Sequence, residues 1–174
     1  MRFNTIQTVM MLSLLFAMRS PAQPSHVFRG RLDISRYMGD WYVIAHIPTW
    51  PERKAFHSIE SYRLNADSTV AIVNTFRVGA ADGPLRTLRA TGFITNRTTS
   101  AEWKVMFLWP LKADYLVVDV DSEYRWAVVG VPSKKWVWIM TRTKTLDPER
   151  YEQLVERIKT IGYPIERLRR VPQE

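Results

Sequence analysis

Between residues 41 and 143 apolar and polar positions alternate in short runs: Trp41–Ile47, Ser58–Leu64, Thr69–Arg77, Leu85–Thr95, Glu102–Leu108, Tyr115–Asp121, Arg125–Val131 and Trp136–Thr143. A period of two puts successive side chains on opposite faces of a β-strand, so these runs predict eight strands. Turn-forming clusters separate them: "NADS" from 65, "GAADG" from 79, "TNRTTS" from 95, "WPLKAD" from 109, "DSE" from 121 and "PSKK" from 132. Most connections are short, which makes sequence neighbours antiparallel; residues 48–57, with two prolines, form the longer exception. An all-β domain of this kind is a sandwich or an up-and-down barrel, and only the barrel removes both sheet edges. The pattern alone leaves both open.

After the strands the period changes from two to that of a helix. Asp147 suits an N-cap, Pro148 the first helical position, and Tyr151, Leu154, Val155, Ile158 and Ile161 form one apolar stripe before Gly162 ends it. Such a helix lays its stripe on the outside of the sheet, where Val137, Ile139 and Thr141 share a parity suited to it. The following "PIERLRRV" is expected to add one edge strand. On other strands the aromatics share a face: Trp103, Val105, Phe107 and Trp109 on one, Trp136, Trp138, Met140 and Arg142 on another. That face reads as a core or a lumen.

Composition narrows the compartment. The chain has 174 residues, 46% of them hydrophobic and 24% charged, enough for one domain with its own core. It has no cysteine, which excludes disulfides, thiolate metal sites and a lipid on an N-terminal cysteine. Residues 1–22 read as a signal peptide: Arg2 in the n-region, an apolar stretch Thr8–Met18, and Ser20-Pro21-Ala22 at a cleavage position. Residues 23–31 are then a polar lead and 32–174 the domain. Losing residues 1–22 removes two arginines and no acid, so the charge falls from +8 to +6. A basic surface suits anionic lipid, while the lack of a Lys/Arg run argues against nucleic acid.

Catalytic signatures are scarce. There is no G-x-S-x-G, H-E-x-x-H, G-x-G-x-x-G or Walker sequence, and only seven glycines to build phosphate loops. His26, His46 and His57 have no metal-ligand spacing and read as surface or loop residues. Asp119 and Asp121 share a strand face, a weak acid/base pair, since Asp121 begins a turn. No metal or cofactor is implied, and the chain reads as no enzyme.

Gly39-x-Trp41-Tyr42 at the first strand, with Arg142 ending the eighth, resembles the lipocalin signature. The resemblance extends to "FLWPLKADYLVVDVDSEYRWAVV" (107–129), "WVWIMTRT" (136–143) and "ER" (52–53) before "SYRL" (61–64), which look like the bacterial lipocalins, relatives of apolipoprotein D and the plant temperature-induced lipocalins. It spans residues 32–171. The implied fold is an eight-stranded antiparallel up-and-down β-barrel, closed at one end, with one C-terminal helix packed outside and a lumen for a small apolar molecule. Trp41 then plugs the closed end and Arg142 lies across its ring, so that Gly39, Trp41, Tyr42 and Arg142 are structural. Bacterial relatives often carry a lipid-bearing cysteine that this chain lacks, which implies a soluble periplasmic or secreted protein with outer-membrane association still open.

Parity counted from Trp41 and Arg142 assigns Val43, Ala45, Trp138 and Met140 to the lumen, joined by Tyr62, Asn74, Phe76, Trp103, Val105, Phe107, Tyr115, Val117 and Val128. Loops 48–57, 78–84, 109–114 and 132–135 then surround the mouth. Arg53, Lys54, Lys112, Lys134 and Lys135 would face Glu52, Asp82 and Asp114 there. The expected ligand is a fatty acid or lysophospholipid, the expected partner surface a membrane touched by the basic mouth, and the expected state a monomer or homodimer. Two rivals stand beside the carrier: a lipocalin-fold enzyme acting on a lumen-bound lipid or isoprenoid through Asp119, Tyr115 or Glu60, and a haem or pigment carrier.

Overall fold

In the computed structural model Phe28 and residues 30–174 are described; the expected signal segment, His26 and most of the expected lead lie outside them. A short helix α1 (Ile34–Tyr37) precedes β1 (Gly39–Ile47), β2 (Ala55–Leu64), β3 (Val70–Val78), β4 (Leu85–Ile94), β5 (Glu102–Leu108), β6 (Leu111–Val120), β7 (Trp126–Gly130) and β8 (Val137–Thr141). Helix α2 (Pro148–Ile161) and a two-residue strand β9 (Arg169–Arg170) follow. From β1 to β8 each strand pairs antiparallel with the next, and β1 pairs also with β8 and β9. The sheet therefore closes on itself, and of the two architectures the alternation allowed, the barrel is the one formed.

The closed end is built by a few aromatic side chains and one arginine. Gly39 takes φ +94, a conformation that strains any other residue, and so turns the chain from α1 into β1. Trp41 is fully buried, donates from Nε1 to the Tyr37 carbonyl at 2.9 Å, and carries the Arg142 guanidinium 3.7 Å above its ring. Tyr42, half-buried, pairs with Ile59 on β2 and Thr141 on β8, opposite in parity to Trp41. Tyr37, contributed by α1, packs edge-on against Tyr62 and Trp103 and fills the lower barrel with them.

Helix α2 lies outside, as its stripe requires. Asp147 accepts from the Arg150 amide at 3.0 Å, and Gly162 ends the helix at φ +95. Tyr151, Leu154, Ile158 and Ile161 bury against Ile44, Leu116, Val118, Val137 and Ile139 of the wall. Tyr163 donates to the Val131 carbonyl at 3.1 Å, and a Cβ at Gly130 would stand 2.1 Å from its hydroxyl, so only glycine fits beneath it.

Two local expectations are corrected and a third is extended. Strand β6 begins at Leu111 rather than Tyr115, because Trp109-Pro110, with a cis peptide, makes a two-residue turn; Lys112 and Asp114, read as turn residues, are the solvent-facing positions of the strand. Strand β2 begins at Ala55, and its register shifts between Phe56 and Ile59 with His57 at φ +50. The expected edge strand forms as β9, with β1 as its one ladder partner, and the residues after it reach β2. Strands β1 and β2 pair only over residues 39–42 and 59–62, and the chain end fills the gap above: Arg169 and Arg170 pair with His46 and Ala45, the Val171 amide donates to Ile44 at 2.9 Å, and the His57 amide donates to Pro172 at 2.8 Å. Gln173 completes the seam by donating to the carbonyls of Val43 at 2.7 Å and Ser58 at 3.2 Å.

Candidate functional site

Two registers decide what faces inward. In β1 the pairing jumps between Val43 and Ala45, so the bulge at Ile44 reverses the parity above it. Ala45 then pairs with Ile139 and joins the cluster beneath α2, which corrects its lumen assignment. His46, expected at the surface, pairs with Trp138 on the inward face and is 2% exposed. Val128 is likewise corrected: it pairs with Ile139 beneath the helix, while Ala127 and Val129 face inward. Strand β7 is apolar on both faces, because one meets the core and the other the helix, and alternation carries no information there.

The other inward side chains divide by height. Val43, Tyr62, Trp103, Val117 and Met140 belong to the filled lower core. Above them a cavity of about 410 Å³ is lined by Thr49, Pro51, Glu52, Glu60, Leu88, Val105, Phe107, Ala113, Asp114, Tyr115, Val131, Trp136 and Trp138. A deeper extension of about 60 Å³ shares Glu60, Val105 and Tyr115 and adds Ile72, Asn74 and Ala90. A vestibule of about 400 Å³, meeting the chamber at Pro51 and Leu88, is lined also by Trp50, Arg53, Lys54, Phe76, Val78 and Arg86. Of the expected lumen residues, Asn74, Val105, Phe107, Tyr115 and Trp138 thus border the cavity and Phe76 the vestibule.

The floor of the chamber carries charge that sequence reasoning placed elsewhere. Glu52, expected on the rim, is 3% exposed: a short 3-10 turn, Trp50–Glu52, folds it inward. Its Oε1 accepts from Asn74 at 3.0 Å and from the Trp138 indole at 3.2 Å, while the Thr49 hydroxyl and amide donate to Oε2. Glu60 is the second buried carboxyl. A row of hydroxyls leads to it: Tyr37 meets Tyr115 at 2.7 Å, Tyr115 donates to Tyr62 at 2.9 Å, and Tyr62 donates to Glu60. The only signal of this in the sequence was period two, Glu60 sharing its parity with Tyr62.

Burial pushes the Glu60 carboxyl up to about 7; the Tyr62 hydrogen bond opposes this and the charge of Glu52 reinforces it. Burial lowers the His46 pKa, with Glu52 opposing, and its Nδ1 has no partner among the described residues. The consequences for stability have opposite signs. Because folded Glu60 holds its proton more tightly than the ordinary carboxyl at 4.5, folding is penalised as pH rises from 4.5 to about 7, by at most about 3 kcal/mol. His46, held neutral, penalises folding as pH falls through 6.5. Comparing Glu60→Gln with wild type isolates the first effect: the variant is expected to be more stable by up to about 3 kcal/mol at pH 8 and nearly equal at pH 5. Urea unfolding at the two pH values measures it, and a difference that ignores pH removes Glu60 as the titrating group.

The remaining acidic candidates are tied up outside. Asp119 accepts from Arg157 at 3.3 Å and Asp121 from Arg125 at 2.6 Å, so the expected acid/base pair is two separate ion pairs. At the mouth, Lys134 donates to the Ile161 carbonyl at the end of α2, Lys112 lies 4.1 Å over the Phe93 ring, and Asp114 pairs with Lys104 at 2.6 Å. Arg86, overlooked in the sequence, joins Arg53 and Lys54 as the basic lining of the vestibule.

A closed eight-stranded antiparallel barrel with an outer helix and an apolar, one-ended chamber defines a lipocalin. The Lipocalin-like domain family model matches residues 32–173, and the chain belongs to that family. It is 31% identical over 151 residues to temperature-induced lipocalin-1 of Arabidopsis thaliana, covering 82% of this chain and 80% of that one. It is 29% identical over 156 residues to outer membrane lipoprotein Blc of Citrobacter freundii, covering 89% and 88%. Bovine (Bos taurus) apolipoprotein D is 27% identical over 143 residues, covering 78% and 74%. Among solved structures, lobster apocrustacyanin A1 superposes with a TM-score of 0.64 at 13% identity, covering 82% and 80%. Insecticyanin of the tobacco hornworm Manduca sexta gives 0.63 at 18% identity, covering 82% and 81%. At these identities the two structures establish the fold.

Proposed function

We propose that this lipocalin is a non-catalytic carrier that takes one monoacyl lipid, a fatty acid or a lysophospholipid, into the upper half of its barrel. The observation that carries the reading is a pair of adjacent spaces that share Pro51 and Leu88: an apolar chamber bounded by Val105, Phe107, Leu88 and Trp138, beside a vestibule that holds Arg53, Lys54 and Arg86. An acyl chain desolvated in the chamber gains roughly 0.8 kcal/mol per methylene, and a basic vestibule attracts a carboxylate or phosphate head group. Titration of delipidated protein with a saturated fatty acid and with its lysophospholipid, followed by tryptophan fluorescence, tests this. Saturable quenching near micromolar concentration, reduced in Trp138→Phe, is the expected result. A folded protein silent to both lipids overturns the reading.

The same open end supports contact with an anionic membrane. Phe107, Leu108, Trp109 and Leu111 stand exposed at the tip of the β5–β6 hairpin, Trp109 at 80%, with Trp50 and Leu85 exposed on neighbouring mouth loops. Arg53, Lys54, Arg86 and Lys112 surround them, each worth about 1 kcal/mol against an acidic lipid surface. Sedimentation with vesicles of 30% anionic and 70% zwitterionic phospholipid is expected to retain the protein and to lose Trp109→Ser/Leu111→Ser at least tenfold; equal retention of both overturns the contact. An exported envelope protein fits this role and the outer membrane lipoproteins among its relatives. Among the described residues no helix is long and apolar enough to cross a membrane.

A further inference from the structure

The polar groups of the chamber floor all point one way. Tyr37, Tyr115 and Tyr62 pass their hydroxyl hydrogens along in sequence, and the row ends on one oxygen of Glu60. Asn74, Trp138 and Thr49 spend their donors on Glu52. These donors are thus engaged, while Glu60, which borders both the chamber and its deeper extension, receives a hydrogen bond only from Tyr62 among the described residues and so has a second carboxyl oxygen left for a ligand. A carboxylate driven head-first to this depth would face two buried carboxyls. A plain methyl end would leave the Glu60 acceptor unmatched in an apolar space. In the adjacent vestibule, which shares Pro51 and Leu88 with the chamber, Arg53, Lys54 and Arg86 form no ion pair among the described residues.

We propose that the ligand is an acyl chain with two polar ends, its anionic head group held in the Arg53–Lys54–Arg86 vestibule and a hydroxyl near the far end of the chain donating to Glu60 on the chamber floor. The assignment rests on the carrier reading and narrows its ligand to ω-hydroxylated acyl chains. Glu60 selects by offering a carboxyl oxygen that the protein leaves without a second partner, and a ligand hydroxyl supplies that partner. In an apolar pocket of the same shape the added hydroxyl would be a handicap, because it would be stripped of water without a partner.

The test compares unsubstituted, 2-hydroxy and ω-hydroxy fatty acids of 10, 12 and 16 carbons by competition fluorescence at one pH. For the chain length that spans the passage, wild type is expected to bind the ω-hydroxy acid at least as tightly as the plain acid and at least tenfold more tightly than the 2-hydroxy acid. In Glu60→Leu the preference is expected to shift at least tenfold toward the plain acid. The 2-hydroxy comparison needs no variant and stands even where Glu60→Leu does not fold. Plain and 2-hydroxy acids that bind well, with no length at which the ω-hydroxy acid is favoured, overturn the Glu60 assignment and leave the carrier intact. Failure of every acid to bind overturns both.

Discussion

Arg142→Ala is expected to lower the folding stability by about 3 kcal/mol, a large share of what a domain of this size possesses. The guanidinium donates to the carbonyls of Arg36 at 2.7 Å, Asp40 and Met38 at 2.8 Å and Tyr37 at 3.2 Å, while lying 3.7 Å above Trp41. Those carbonyls end α1 and begin β1, so a single side chain clasps the cap of the barrel to its last strand. Water can reach some of them after the truncation, which keeps the loss below the sum of four charge-assisted bonds. Arg142→Lys is expected to recover less than half, since an ammonium is a point donor that neither forks across several carbonyls nor lies flat on an indole. Urea denaturation measures both, and a loss below about 0.5 kcal/mol for the alanine variant would mean that the cap holds without its clasp. Lipid affinity of the still-folded variant is expected to stay at the wild-type value, because the clasp and the chamber lie at opposite ends.

Ala113→Trp is expected to weaken monoacyl lipid binding at least 30-fold without unfolding the protein. Ala113 pairs with Val105 on β5, and both border the chamber. An indole there occupies volume the acyl chain needs, and a chamber of about 410 Å³ receives it with less strain than a packed core would. Ala71→Trp is the control. Ala71 on β3 has the parity opposite to the buried Val70 and Ile72, so its indole projects outward and binding should be unchanged. Retained affinity in Ala113→Trp, with a native unfolding curve, would move the binding site out of the upper barrel.

What was legible in the sequence followed from local rules that tertiary contacts did not disturb. The alternation at Trp103 and Val105 was kept because β5 has one solvated face and one inner face there, up to the register shift at Met106 that leaves Phe107 largely exposed. Asp147, Pro148 and Gly162 marked the helix because capping is settled within a turn or two of chain. Gly39, Trp41 and Arg142 were legible as the closed end only through their resemblance to the lipocalin signature; the positive φ at Gly39 and the guanidinium 3.7 Å above the indole belong to the structure.

Tertiary structure decided the rest, where a local pattern was compatible with two outcomes. The bulge at Ile44 costs one residue of register and exchanges Ala45 for His46 on the inner face, a choice set by strand pairing rather than by the residues themselves. Glu52 read as rim charge and Glu60 as a candidate only of the rival enzyme reading, and a turn over residues 50–52 and a row of tyrosine hydroxyls are what make their burial tolerable. The chain end, which suited an edge, found unpaired backbone between β1 and β2 and closed it. By itself the sequence determined the strands, their antiparallel order and the outer helix, all dictated by neighbours along the chain, whereas the cap joins Arg142 to carbonyls more than a hundred residues away. How much of the barrel is filled, and that its chamber ends on a buried carboxyl, depends on side chains brought together from opposite walls, and only closure of the sheet brings them there.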